Sequence, residues 1–211
     1  MTSRFACDLD TQSLRTTFHL SGESPVWLPS RNVTPGQPAP VIRAGNRPGH
    51  RQLDLMLWGL VPHWAKDMSR RPYNARAETV ATSGMFWAAY RARRCIIPAT
   101  GFHESARSPR WLSLPNNQIM GLAAIWENWE HEGDILHSFA IVTAPADDLT
   151  RVTGRRLPVL IAPQDRETWL TGSRDEASRL LHAPKPHKMI FADEPMAPRP
   201  DASTPSKGTK G

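Results

Sequence analysis

Twenty prolines in 211 residues constrain the fold of this chain more than any other feature. Each one fixes φ and removes a backbone donor, so long helices are excluded and short strands joined by structured loops are favoured. Prolines crowd residues 25–50, where Pro25, Pro29, Pro35, Pro38, Pro40 and Pro48 accompany Gly36, Gly45 and Gly49. That stretch reads as loop, with one short strand at Val41 and Ile42. From Trp58 to Glu104 the pattern changes. WGLVPHWAKD, NARAET and RRCIIPATGFHE set Asn74, Arg76, Glu78, His103 and Glu104 among apolar or turn-forming neighbours. Polar groups in such places have to be paired or working. The stretch therefore indicates a polar pocket in a compact, mostly β scaffold.

Periodicity supplies the remaining elements. A brief helix is expected over residues 11–20 and a strand over 53–60. The best helical stripe runs over 76–92, through Ala77, Val80, Ala81, Met85, Ala88 and Ala89, with Gly84 as its weak point. Residues 95–99 read as a buried strand. Strands over 119–126 and 136–144 flank a charged turn at Glu130 to Asp134, and a further strand is expected over 159–162. Short helices over 164–170 and 174–181 start at Pro163 and Ser173. One domain spans 1–190. Residues 191–211 are poor in apolar side chains and read as a disordered tail.

Lys and Arg number 26 against 20 Asp and Glu, a net charge of +6. Arginine dominates the basic set, which suits bidentate phosphate contacts and permits a phosphate-rich partner. Eight tryptophans can serve as core anchors or as stacking surfaces for bases. Cys7 and Cys95 form neither a metal-ligand spacing nor a disulfide framework. No apolar run approaches ~20 residues, and the first residues carry no signal-peptide core. A reduced, cytoplasmic monomer is expected, with no cofactor, metal or membrane association.

Six blocks in order carry a resemblance: WGLVPHWAKD (58–67), NARAET (74–79), RRCIIPATGFHE (93–104), AAIWE (123–127), FAIVTAPAD (139–147) and RRLPVLI (155–161). Together they resemble the SOS response-associated peptidase family, also called abasic site processing or SRAP proteins. The likeness covers roughly residues 4–170. It implies an α+β fold, a mixed or antiparallel β pseudo-barrel flanked by short helices, and a cationic groove for single-stranded DNA. In that family the initiator Met is removed and a cysteine becomes the first residue. Its amine and thiol capture the ring-opened aldehyde of an abasic site as a thiazolidine, assisted by an asparagine, a glutamate and a histidine.

Matched residue by residue, the resemblance implies a changed site. Arg4 and Phe5 fit the family's opening, but Thr2 stands at the nucleophile position. The asparagine falls on Asn32 in NVTPG. The glutamate falls on Glu104, with His103 and Ser105 replacing the usual aromatic neighbours. In VTGRRLPV, Thr153 or Gly154 occupies the histidine position. Thr2 keeps an α-amine able to attack an aldehyde, and its hydroxyl closes a more labile oxazolidine in place of a thiazolidine.

Each of these residues admits two roles. Glu104 is a proton shuttle or a buried partner of an arginine such as Arg76. Asn32 orients the reacting groups or bonds its own loop. Arg4, Arg76, Arg155 and Arg156 contact phosphate or carry solvated surface charge. Asn74 contacts the DNA backbone or braces the pocket. Trp58 and Trp64 stack on bases or, as the neighbours of Trp58 suggest, pack in the core. Pro35 and Gly36, with the Pro62–His63–Trp64 turn, shape the groove. Cys95 reads as a packed thiol, Cys7 as an exposed one, and His103 as a replacement for the missing histidine. Three activities follow: abasic-site capture with weakened chemistry, single-stranded DNA binding without catalysis, or amide hydrolysis by an N-terminal nucleophile.

Overall fold

The computed structural model describes residues 3–103, 110–145, 156–185 and 189–193. Twelve strands form two sheets in these segments. The larger holds β3 (Pro38–Ala44), β4 (Arg51–Trp58), β5 (Asn74–Arg76), β6 (Arg94–Ala99), β9 (Met120–His131), β10 (Asp134–Pro145) and β11 (Arg156–Pro158). Its order is β11-β10-β4-β3-β6-β9, and β9 pairs back onto β10. The ring β10-β4-β3-β6-β9 is therefore closed, which removes exposed sheet edges. All its pairings are antiparallel except β4 against β10. β5 continues alongside β10 where β4 leaves it. The expected α+β pseudo-barrel is what the chain forms.

The second sheet has the order β12-β8-β7-β1-β2, from β1 (Phe5–Cys7), β2 (Ser30–Val33), β7 (Gly101–His103), β8 (Arg110–Ser113) and β12 (Ile190–Asp193). β6 passes into β7 through Thr100 alone, so one continuous segment crosses from barrel to sheet. The helices are short: α1 (Thr11–Phe18), α2 (Trp87–Ala92), α3 (Arg166–Thr171) and α4 (Arg174–Ser178). Among the described residues no helix is long and apolar enough to cross a membrane.

Local chemistry explains most boundaries. Asp10 caps α1 by accepting from the Ser13 N–H at 2.7 Å. Ser173 and Glu176 close a capping box on α4, at the start expected there. The β9–β10 hairpin turns at Glu132 and Gly133, both with positive φ, as a tight primed turn requires.

Three expectations change. The loop of residues 25–50 contains two strands. Pro38 and Pro40 are tolerated in β3 because β6 pairs only with Ile42 and Arg43, leaving that end of β3 bonded on one side. The helix expected over 76–92 is confined to Trp87–Ala92. Thr79, Thr82, Ser83 and Gly84 are poor helix formers, and mixed i+3 and i+4 bonds make separate turns there. The strand expected at 159–162 is irregular and lies between Pro158 and Pro163. Val159 still donates to Val142 and accepts from Ala123.

Candidate functional site

β1 places the amino-terminal end of the described chain. It lies between β7 and β2, with Phe5 opposite Phe102 and Val33, and Ala6 opposite Gly101. One step further out, the His103 N–H donates to the Arg4 carbonyl at 3.0 Å. Alternation sends Phe5, Phe102 and Val33 into the core. There Phe5 meets Trp58 with ring centroids 5.1 Å apart. Trp58 lies parallel to Phe139, meets Tyr73 edge-on, and donates its indole N–H to the Tyr73 carbonyl at 2.9 Å. This aromatic chain fixes β1 relative to Tyr73 and hence to its neighbour Asn74.

Arg4, Gly101, His103 and Trp111 alternate onto the other face. Arg4 and His103 are buried, and His103 meets the Trp111 ring edge-on at 5.1 Å. Ser3 is buried as well, and its hydroxyl has no hydrogen-bond partner among the described residues. Asn32 is half-buried in β2, beside β1. Asn32 is thus a strand residue, where a loop was expected. The loop begins at Thr34, where Pro35 and Gly36 form a type II turn with Gly36 at φ +89°. That turn is pinned because the Gly36 N–H donates to the Trp58 carbonyl at 2.8 Å.

On the barrel side, Asn74 opens β5 and is half-buried, and Arg76 closes it exposed to solvent. A cavity of about 310 Å³ beside Asn74 is lined by Arg70, Arg71, Pro72, Tyr73 and Met85. Nearby in the chain, the Pro62–Ala65 turn carries Trp64, which is 57% exposed.

A sequence profile described as SOS response associated peptidase (SRAP) matches residues 1–194. The chain belongs to the SRAP family. The abasic site processing protein YoqW of Bacillus subtilis is 29% identical over 170 residues, covering 76% of this chain and 75% of YoqW. YedK of Escherichia coli, also named an abasic site processing protein, is 34% identical over 146 residues, covering 66% of this chain and 63% of YedK. The fold is shared with a crystal structure of a Bacteroides thetaiotaomicron protein: TM-score 0.78, 22% identity, 89% of this chain and 90% of the other covered.

Within this SRAP chain, two expected site residues change role. Trp58 is fully buried with its indole N–H bonded, so it is a core anchor and not a stacking surface. The Arg156 fork is occupied. It grips both carboxylate oxygens of Glu78 and the hydroxyl and carbonyl of Thr143. The Arg156 hydrogen bonds hold the Glu78 carboxyl below its usual range. Arg156 thus clamps β11 and the turn after β5 onto β10. Cys7, expected to be exposed, is buried, and desolvation pushes its thiol up to about 12. Cys95 is the packed thiol expected, raised by the same cause. Thr2, Glu104, Thr153, Gly154 and Arg155 lie outside the described residues.

Sequence reasoning missed Glu127. It is buried, yet bonds the Arg93 guanidinium, the His63 backbone N–H at 3.3 Å and His63 Nδ1 at 3.2 Å. It thereby ties the AAIWE, RRC and WGLVPHWAKD blocks together. A carboxylate inside an otherwise apolar strand was the available signal. Trp111 was also missed. Its ring crosses Gly101 so closely that only a glycine fits beneath it.

Proposed function

We propose that this chain processes abasic sites in single-stranded DNA, using Thr2 as its nucleophilic residue. The observation that carries this reading is the His103 to Arg4 hydrogen bond, with the β1–β7 register behind it. Ser3, two residues ahead of β1, and His103, the last residue of β7, are the chain neighbours of Thr2 and Glu104, and the β1–β7 pairing brings them to the same end of the sheet. The names of the curated relatives supply the substrate.

Removal of Met1 leaves Thr2 with a free α-amine. The neutral amine adds to the C1′ aldehyde of the ring-opened site, and loss of water gives an imine. Glu104 donates the proton that leaves with the water. Addition of the Thr2 hydroxyl across the imine closes an oxazolidine, its proton passing to nitrogen. A hydroxyl adds to a C=N bond less favourably than a thiol and its ring resists hydrolysis less, so water reopens it and the capture is transient. Asn32 and Asn74 orient the amine and sugar. Arg70, Arg71 and Arg76 supply phosphate contacts, whereas Arg4 is buried and takes no such part, and Trp64 supplies a stacking face.

A second reading has its own support. Thr2 and the Thr153–Gly154 pair together replace two of four family groups, which fits a protein that binds such DNA without covalent capture. Borohydride trapping on an abasic oligonucleotide, resolved by denaturing electrophoresis, separates the two. The first reading expects a borohydride-dependent adduct with wild type and a durable, reductant-free adduct with Thr2→Cys. No wild-type adduct, with Met1 shown by intact mass to be removed, leaves binding alone. Loss of all preference for abasic or single-stranded DNA would sink both.

A further inference from the structure

Arg94 and Arg166 are both buried with no carboxylate bonded to them among the described residues, and they differ in one respect. Arg94 is bonded at all three nitrogens: Nε donates to the Trp169 carbonyl, Nη1 to Tyr90 and Arg91, and Nη2 to Gly172. Arg166 is not. Its Nη1 donates to the Thr17 carbonyl at 3.0 Å, and its guanidinium lies 4.1 Å from the Phe18 ring centre. Its Nε–H is buried with no acceptor among the described residues. Among the described residues no carboxylate forms an ion pair with it. Burial, and secondly the charge of Arg51, lower its affinity for its proton. A cation so placed lacks an anion.

Arg166 lines a cavity of about 690 Å³ between the end of α1, the start of β9 and the segment after α4. That volume is of the size that holds a small organic ligand. Its charged and titratable lining is mainly basic: Arg166, Lys185, His19 and His182 against Asp165. Its apolar wall includes Leu114, Met120, Leu160 and Leu180. None of the residues expected to act on DNA lines it.

We infer that this cavity binds a small amphipathic carboxylate, its head paired with the Arg166 guanidinium and its hydrocarbon body against Met120, Leu160 and Leu180. The carboxylate supplies the counter-charge that the Arg166 guanidinium lacks, and the planar cation matches its two oxygens. The apolar wall gains from displacing water. This site stands independently of the DNA reading.

Titration calorimetry of the full chain with decanoate, decanol and inorganic phosphate tests it. Decanoate should bind one-to-one and more tightly than either of the others, because only it offers both a head and a tail. Arg166→Gln should weaken decanoate by about tenfold or more, the loss expected for a charge-assisted pair, and leave decanol unchanged. Leu180→Trp fills the apolar end and should abolish decanoate binding with the guanidinium intact. It also decides the matter if Arg166→Gln does not fold. Non-saturable decanoate binding, decanol or phosphate binding as tightly as decanoate, or full affinity in either folded variant would overturn the assignment.

Discussion

Gly101 and Trp111 are in such close contact that a Cβ built on Gly101 would lie 2.0 Å from Trp111 Cζ2. The indole is held there because β8 pairs with β7 and because its edge packs against His103. The glycine of the GFHE segment is therefore a packing requirement of the candidate site. Gly101→Ala should cost about 1–3 kcal/mol, the usual range for overpacking a filled space. Urea unfolding should show a lower midpoint at unchanged slope. Trp111→Leu in the same chain should restore most of the loss, since it removes the clashing ring. An equally stable single variant would mean that the indole moves aside freely.

Cys7 should be chemically silent in the folded protein. Its thiol is pushed up to about 12, first by burial, so at pH 8 only about one molecule in ten thousand carries the thiolate. A disulfide reagent at that pH should label no thiol in native protein and two after unfolding in urea. The folded state holds this proton more tightly than the unfolded chain, whose thiol titrates near ~8.5. Its contribution to stability is therefore complete below about pH 8.5 and declines as pH rises toward 12. Cys7→Ser should leave any trapping of abasic DNA intact, which separates Cys7 from the missing nucleophile. Loss of trapping in a stably folded Cys7→Ser would contradict this.

Arg94 stabilises the packing of two helices. Its guanidinium caps the carboxyl ends of α2 and α3 and lies 5.8 Å from the Tyr90 ring and 6.0 Å from that of Trp169. Arg94→Met keeps the aliphatic volume but strands buried carbonyls. The expected loss is about 2–4 kcal/mol. Arg94→Lys should recover little of it, because a single ammonium cannot reach both helix ends in a fork. Thermal unfolding of the three proteins decides this. A lysine variant matching wild type would show that charge alone suffices.

Much of this architecture was legible because local signals agreed with it. Ser173 with Glu176 spelled a capping box. Alternation over Leu53 to Leu60 gave β4, and the charged turn between two apolar runs gave the β9–β10 hairpin. What stayed hidden depends on contacts between distant segments. Helical spacing over 76–92 was real, but β5 pairing at Asn74–Arg76 and the Thr, Ser and Gly residues that follow break it into turns. Cys7 sits in a three-residue strand beside Asp8, too short for any period to report its burial. The family blocks located Trp58 and Trp64 together, yet only the fold separates them. One is stacked between strands, and the other stands on a turn.

That turn leads to the last prediction. The Pro62–Ala65 segment is held at three points: Glu127 bonds His63 twice, Trp129 donates its indole N–H to the Ala65 carbonyl at 2.7 Å, and the Val61 N–H donates to Ser138 at 2.9 Å. Trp64 is thus an exposed ring on a rigid mount, which is how a stacking platform avoids an ordering cost on binding. Trp64→Ala should weaken binding to an abasic single-stranded oligonucleotide by about 1–3 kcal/mol without lowering thermal stability. Glu127→Gln keeps the shape but loses the charge that faces Arg93 and His63. It should lower stability and weaken the same oligonucleotide, although Glu127 is buried beneath the turn. Fluorescence anisotropy at two salt concentrations reads both effects. The stacking loss should persist at high salt, whereas phosphate contacts fade. A Trp64→Ala protein that binds like wild type would remove Trp64 from the interface and leave the buried mount purely structural.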